Sequence, residues 1–168
     1  MKTVLIAADH AGFETKEFLK KELENQGYTF KDFGTFSNET MDYADVVHPL
    51  AAEINAGIYS IGIILCGSGN GVNMVANKYP YVRSALCWTE EIASLARKHN
   101  NANIIALPAR FLDQQTILKI VNTFLTIDFE GGRHIKRVEK IMITDKKPIC
   151  HCSFDPQSPV NVLLTRGC

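Results

Sequence analysis

Two hydrophobic periods alternate along this chain. Residues 3–8, 61–66 and 103–107 are short apolar runs without polar alternation, the pattern of strands buried on both faces. Residues 28–33 and 83–87 are two further strand candidates. Between them the spacing turns helical. Residues 13–26 place Phe18, Leu19 and Leu23 on one face and a Glu17–Lys21 pair on the other, and Gly27 ends the helix. Helical spacing resumes over 43–57, with His48-Pro49 interrupting its start, and a further helix can begin near Gly71 and run to Asn77. Thr89 caps a helix to about His99, with Glu90 and Glu91 in the first turn as the helix dipole favours. Asp113 caps another, whose stripe of Ile117, Ile120, Val121, Phe124 and Leu125 is the cleanest in the chain. Gly131-Gly132 precede a last helix expected over 133–143.

Five strands, each followed by a helix, predict an α/β fold: a five-stranded parallel sheet with helices on both faces. Its domain is expected over 1–147. Residues 148–168 contain Pro148, Pro156 and Pro159 without helical period and read as an irregular tail.

In such sheets ligands bind at the carboxyl ends of the strands. There the sequence places Cys66-Gly-Ser-Gly-Asn-Gly71, a thiol followed by three glycines in five residues. The glycines let the chain turn sharply and uncover its amides, and a helix start follows. Thiolates and anions are favoured in such surroundings, although a lone Cys-Gly pair equally suits a buried structural cysteine. Asp9-His10-Ala11-Gly12 ends the first strand, poised for acid–base work or for helix capping. His99-Asn100-Asn101 ends the fourth helix, where a histidine also suits the helix dipole. Arg133 and Arg137 are four apart and flank His134, a pair suited to a phosphate or to a solvated basic face. Together these motifs predict a thiol, amides, an aspartate, two histidines and a phosphate-sized basic patch at one edge, an inventory for proton transfer on a small phosphorylated substrate.

Composition narrows the partners. The 168 residues carry 18 Lys plus Arg against 18 Asp plus Glu, so no global field draws the chain to nucleic acid or an anionic membrane. No apolar run is long enough to span a bilayer, and the first residues reach Asp9 too soon for a signal peptide, so a cytoplasmic location is expected. The odd count of five cysteines, without a secretion signal, argues against a disulfide framework. Cys150-His151-Cys152 lacks the second spaced pair of a structural zinc site, so neither a metal nor another cofactor is expected.

The chain resembles the ribose-5-phosphate isomerase B family, which also holds allose- and galactose-6-phosphate isomerases. The resemblance runs from residue 1 to about 144. It rests on Ala8-Asp9-His10-Ala11-Gly12, Asp42-Tyr43, the Cys66 loop, Ala76-Asn77-Lys78, Arg97-Lys98-His99-Asn100 and Gly132-Arg133-His134 with Lys136-Arg137. It implies a Rossmann-like three-layer α/β/α domain and a metal-free aldose–ketose isomerase. It further implies a homodimer or dimer of dimers whose sites are shared between subunits. By resemblance Cys66 is the base at C1 and C2, and Ser68 shuttles protons between O1 and O2. The amides of Gly67, Gly69, Asn70 and Gly71 hold the enediolate. His99, with Asp9 nearby, opens the sugar ring. His10, Arg133 and Arg137 hold the phosphate, and Tyr43, Asn100, Arg110 and His134 support the substrate. One branch of the family uses a glutamate just after the glycine loop. Here that position is Val72, which leaves Cys66 without a substitute. Arg110 follows Leu107-Pro108-Ala109 where a glycine is more usual, and Ala44 replaces a common proline.

The leading expectation is interconversion of ribose 5-phosphate and ribulose 5-phosphate, a step of the pentose phosphate pathway. The alternatives are a six-carbon phosphosugar isomerase with the same chemistry and a non-catalytic phosphosugar-binding module.

Overall fold

The computed structural model describes residues 2–142. They form strands β1 (Lys2–Ala8), β2 (Tyr28–Asp32), β3 (Gly62–Cys66), β4 (Ser84–Leu86) and β5 (Ile104–Pro108), all parallel, in the order β2-β1-β3-β5-β4. Helices α1 (Phe13–Glu24), α2 (Tyr43–Asn55), α3 (Asn70–Ala76), α4 (Glu90–Asn100) and α5 (Gln114–Thr126) follow the successive strands, and a short α6 (Ile135–Glu139) comes last. This is the Rossmann-like α/β architecture expected.

The period of two explains the layering. Ile63 and Leu65 face a core shared with Leu19 and Leu23 of α1, Ala93 and Ala96 of α4 and the apolar stripe of α5. Ile64 and Cys66 face the opposite core, against Val46, Leu50 and Ile54 of α2 and Val72 and Ala76 of α3. Ile63, Ile64 and Leu65 are fully buried, and truncating any of them to alanine would cost about 2–5 kcal/mol.

This layering positions the site. The chain leaving β1 turns to the α1 face, while the chain leaving neighbouring β3 turns to the α2 and α3 face. A crevice opens where they diverge. Ala8 pairs with Leu65 and Cys66 with Pro108, so residues 9, 66 and 108 lie side by side at the strand tips.

Three local expectations differ. Helix α2 continues through Pro49, because Asp42 caps it (its Oδ1 accepts from the Ala44 amide at 3.0 Å) and an apolar face from Val46 to Ile54 is buried. Glu17 pairs with Lys16 and Lys20 rather than Lys21, since Asp32 draws both lysines to the sheet side of α1. The last helix is not continuous. Gly131 and Gly132 adopt φ of +67° and +55°, and a 3-10 turn over Gly132–His134 precedes α6. The tail expected over 148–168, with Cys150-His151-Cys152, lies outside the described residues.

Candidate active site

A cavity of about 550 Å³ opens at the carboxyl ends of β1, β3 and β5. Asp9, His10, Tyr43, Cys66, Gly67, Ser68, Gly71 and Arg110 line it, as does Phe111. Cys66 is buried at the end of β3, and the Gly69 amide donates to its Sγ at 3.1 Å. The sulfur therefore faces the positive end of a backbone dipole inside the cavity. Cys87, the other free cysteine among the described residues, shows the contrast: burial pushes its thiol up to about 12, which leaves it a protonated packing residue.

Each glycine here admits a close approach. Gly69 is left-handed (φ +75°), and a Cβ on it would strike the Leu86 side chain and lie 3.1 Å from the Leu107 backbone. A Cβ on Gly71 would lie 2.6 Å from the Tyr43 ring, so the glycine lets that ring lie against the loop. Ser68 Oγ accepts from the Asn70 amide at 3.4 Å, which seats Ser68 and Asn70 at the start of α3. The Ala109 and Arg110 amides donate to the Cys66 and Gly67 carbonyls at 2.9 and 3.1 Å. The β5 loop is thus zipped to the glycine loop, and the Arg110 side chain lies over Gly67.

Asp9 is buried, and its Oδ1 accepts from the Ala11 and Gly12 amides at 2.9 and 3.1 Å. It braces its own turn while lining the cavity. His10 Nδ1 is buried without a hydrogen-bond partner among the described residues.

The remaining predicted residues gather elsewhere. Helix α4 returns from the carboxyl ends of the strands to the start of β5, so His99 and Asn100 lie at the amino ends. Its 11 residues cover about 16 Å. The expectation of one edge is therefore corrected within a single chain: His99 is not beside Asp9. Its neighbour is His134, stacked with centroids 4.3 Å apart and planes 5° apart. Arg133 Nε donates to His134 Nε2 at 3.3 Å. Because Arg133 belongs to the 3-10 turn and Arg137 to α6, the pair is held by the turn rather than by one continuous helical face. Burial, then the nearby His99, Arg133 and Arg137, hold the His134 imidazole below its ordinary range. Asn100 lines a separate cavity of about 230 Å³ with Asn77 and Arg83.

Sequence reasoning missed Phe111 and Glu130. Phe111 lines the main cavity and packs against Trp88 with centroids 5.5 Å apart; an aromatic directly after Arg110 was the available signal. Glu130 sets its Oε2 3.8 Å from Nε2 of both His99 and His134. One donor atom from each of these three lies within 4.8 Å of the others. As a metal centre the set fits poorly, because Arg133 already donates to His134 Nε2 and the charge of Arg137 stands close by. A cluster with two guanidiniums suits an anion better.

The sequence model of the Ribose/Galactose Isomerase family matches residues 4–141. The chain is 41% identical over 145 residues to a protein of Mycoplasma pneumoniae named probable ribose-5-phosphate isomerase B, covering 86% of this chain and 95% of the relative. Its fold is similar to the crystal structure of a ribose 5-phosphate isomerase from Thermotoga maritima, with a TM-score of 0.81 and 43% identity over 84% of this chain and 97% of that one. It is also similar to the ribose-5-phosphate isomerase B of Mycoplasma genitalium solved with bound ribulose-5-phosphate, with a TM-score of 0.79 and 38% identity over 83% and 93% of the two chains.

Proposed function

The chain belongs to the ribose/galactose isomerase family, and from that premise we propose that it interconverts ribose 5-phosphate and ribulose 5-phosphate through a cis-enediolate. The observation that carries this reading is the buried Cys66 Sγ in a cavity, facing the Gly69 amide and flanked by the glycine loop. Binding alone needs no base there.

In this proposal the Cys66 thiolate removes the proton from C2 of the open-chain aldose, and negative charge develops on O1. The amides of Gly67, Gly69, Asn70 and Gly71 stabilise that charge as it forms. The thiol returns the proton to C1, while Ser68 carries the hydroxyl proton from O2 to O1, which completes the ketose. Tyr43 and Arg110 wall the cavity beside the reacting carbons. Asp9 shapes the turn that presents His10.

The phosphate and the ring-opening histidine require the other cluster. His99, Asn100, Arg133, His134 and Arg137 lie at the opposite end of the sheet, too far to touch the same five-carbon sugar. We assign them to the neighbouring site of a homodimer. His10 from one subunit and Arg133 and Arg137 from its partner then grip the phosphate, and that remote contact positions the reacting carbons.

We further assign the isomerase domain to residues 1–147, the enzyme to the cytoplasm and its reaction to pentose phosphate metabolism. No helix among the described residues is long and apolar enough to cross a membrane. No step in the mechanism asks for a metal or a cofactor. The test is turnover of ribose 5-phosphate beside allose 6-phosphate and galactose 6-phosphate. A clear preference for the five-carbon sugar is expected. Preference for a six-carbon sugar would keep the chemistry and change the substrate, and binding without turnover of any would overturn the enzyme.

A further inference from the structure

Glu130 follows α5 and stands over two stacked histidines. Its amide donates to the Lys98 carbonyl at 3.1 Å, which ties the loop to the last turn of α4. Its Oε2 lies 3.8 Å from Nε2 of His99 and 3.8 Å from Nε2 of His134. The two rings differ in what they can offer it. His134 is buried, and its Nε2 accepts from Arg133 Nε at 3.3 Å. That nitrogen holds a lone pair, so the His134 proton sits on Nδ1, and burial beside His99, Arg133 and Arg137 keeps the ring neutral. His99 is about one-third exposed, and no hydrogen bond to another side chain fixes its ring among the described residues. Of the two, only His99 can turn an N–H toward the Glu130 carboxylate. The neutral His134 ring, parallel at 4.3 Å, restricts its tilt.

We infer that Glu130 is a positioning residue for sugar-ring opening, acting through His99. The carboxylate holds an imidazole proton on Nε2 and leaves Nδ1 as the acceptor, the division of labour seen wherever a carboxylate orients a catalytic histidine. In ring opening, His99 Nδ1 takes the proton from the anomeric O1 hydroxyl. The bond from C1 to the ring oxygen O4 breaks, C1 becomes the aldehyde, and the proton passes from Nδ1 to O4. One proton moves from O1 to O4, and no electrons leave the sugar. This inference rests on the isomerase reading above and adds a residue to it.

The substrates supply their own control. A five-carbon aldose 5-phosphate closes through O4 into a furanose. The 2-ketose 5-phosphate cannot, because the C5 oxygen it would need carries the phosphate. Ring opening is therefore required from the aldose side, whereas the ketose enters open and its aldehyde product cyclises in water. Glu130→Gln keeps the size of the side chain and the amide anchor. Once the small open-chain fraction of the aldose is spent, steady-state consumption of ribose 5-phosphate is expected to fall by about tenfold or more, toward a rate set by ring opening in water that no longer rises with enzyme, while the initial rate from ribulose 5-phosphate stays within about twofold. Glu130→Asp, which keeps the charge, should recover part of the loss. Retained ketose turnover also shows that the variant folds. Equal loss in both directions, or no loss in either, would overturn the role of Glu130. A wild-type enzyme that turns over neither sugar would instead overturn the isomerase reading itself.

Discussion

The two ends of the sheet are built differently. At the carboxyl ends the backbone does the shaping: three parallel strands stop level, glycines allow close approach, and main-chain amides bind Cys66 Sγ and Asp9 Oδ1. At the amino ends the side chains do it: two stacked imidazoles, a carboxylate and two guanidiniums gather where α4 and the 3-10 turn meet. Backbone dipoles fixed by a buried sheet suit a charge that appears only during the reaction, since they need no reorganisation. Guanidiniums on exposed side chains suit a phosphate that arrives already charged. In the function proposed above, each end supplies half of a phosphosugar isomerase site.

The carboxyl end is most sensitive at the thiol. Cys66→Ala should lower turnover by on the order of 10³-fold or more, the scale of a lost general base, while phosphosugar affinity stays within about tenfold, roughly 1.4 kcal/mol. Substantial residual turnover would remove Cys66 as the base. Arg137→Ala strikes the other end. It should raise KM by about tenfold or more and change kcat less, because the lost contact belongs to binding rather than to the developing charge. Unchanged steady-state kinetics would make the arginines a solvated face.

A smaller effect concerns the stability of the carboxyl-end rim. Lys16 is fully buried on α1 and pairs with Asp32 at the end of β2. Asp32 also accepts from the Gly34 amide at 2.9 Å, and Gly34 and Thr35 are hydrogen-bonded to Ala8 at the rim of the carboxyl-end site. Burial alone would raise the Asp32 carboxyl, but Lys16, Lys20 and the Gly34 amide outweigh it and hold it below its ordinary 3.8. The sign follows: this stabilisation is complete above about pH 4 and is lost as the pH falls through the lower folded value. Asp32→Asn should cost about 3 kcal/mol in denaturant unfolding at neutral pH and flatten the acid limb. A loss below about 0.5 kcal/mol would mean that the pair is dispensable.

Much of this was legible in the sequence. Unalternating apolar runs announced β1, β3 and β5, and Thr89 and Asp113 cap α4 and α5 as read, through Oγ1 to the Ile92 amide and Oδ1 to the Thr116 amide. The motif residues were legible one by one, but not which of them share a site. A rule of parallel sheets held the answer: His10 follows a strand and His99 ends a helix, so they must lie at opposite ends. Glu130 escaped because a single carboxylate in a loop has no period, and only the folded turn sets it over His99. The break before α6 escaped because two adjacent glycines permit a turn without dictating its kind.

Whether one active site takes its two halves from two subunits is tested by complementation. Cys66→Ala and His99→Ala chains would each be assayed for steady-state consumption of ribose 5-phosphate, alone and after mixing under conditions that exchange subunits. Each alone should be nearly inactive. The mixture should recover about a quarter of wild-type activity, since half of random dimers are mixed and each carries one intact site of two. No recovery, with mixed dimers demonstrably formed, would place Cys66 and His99 in the same chain's site and contradict the account.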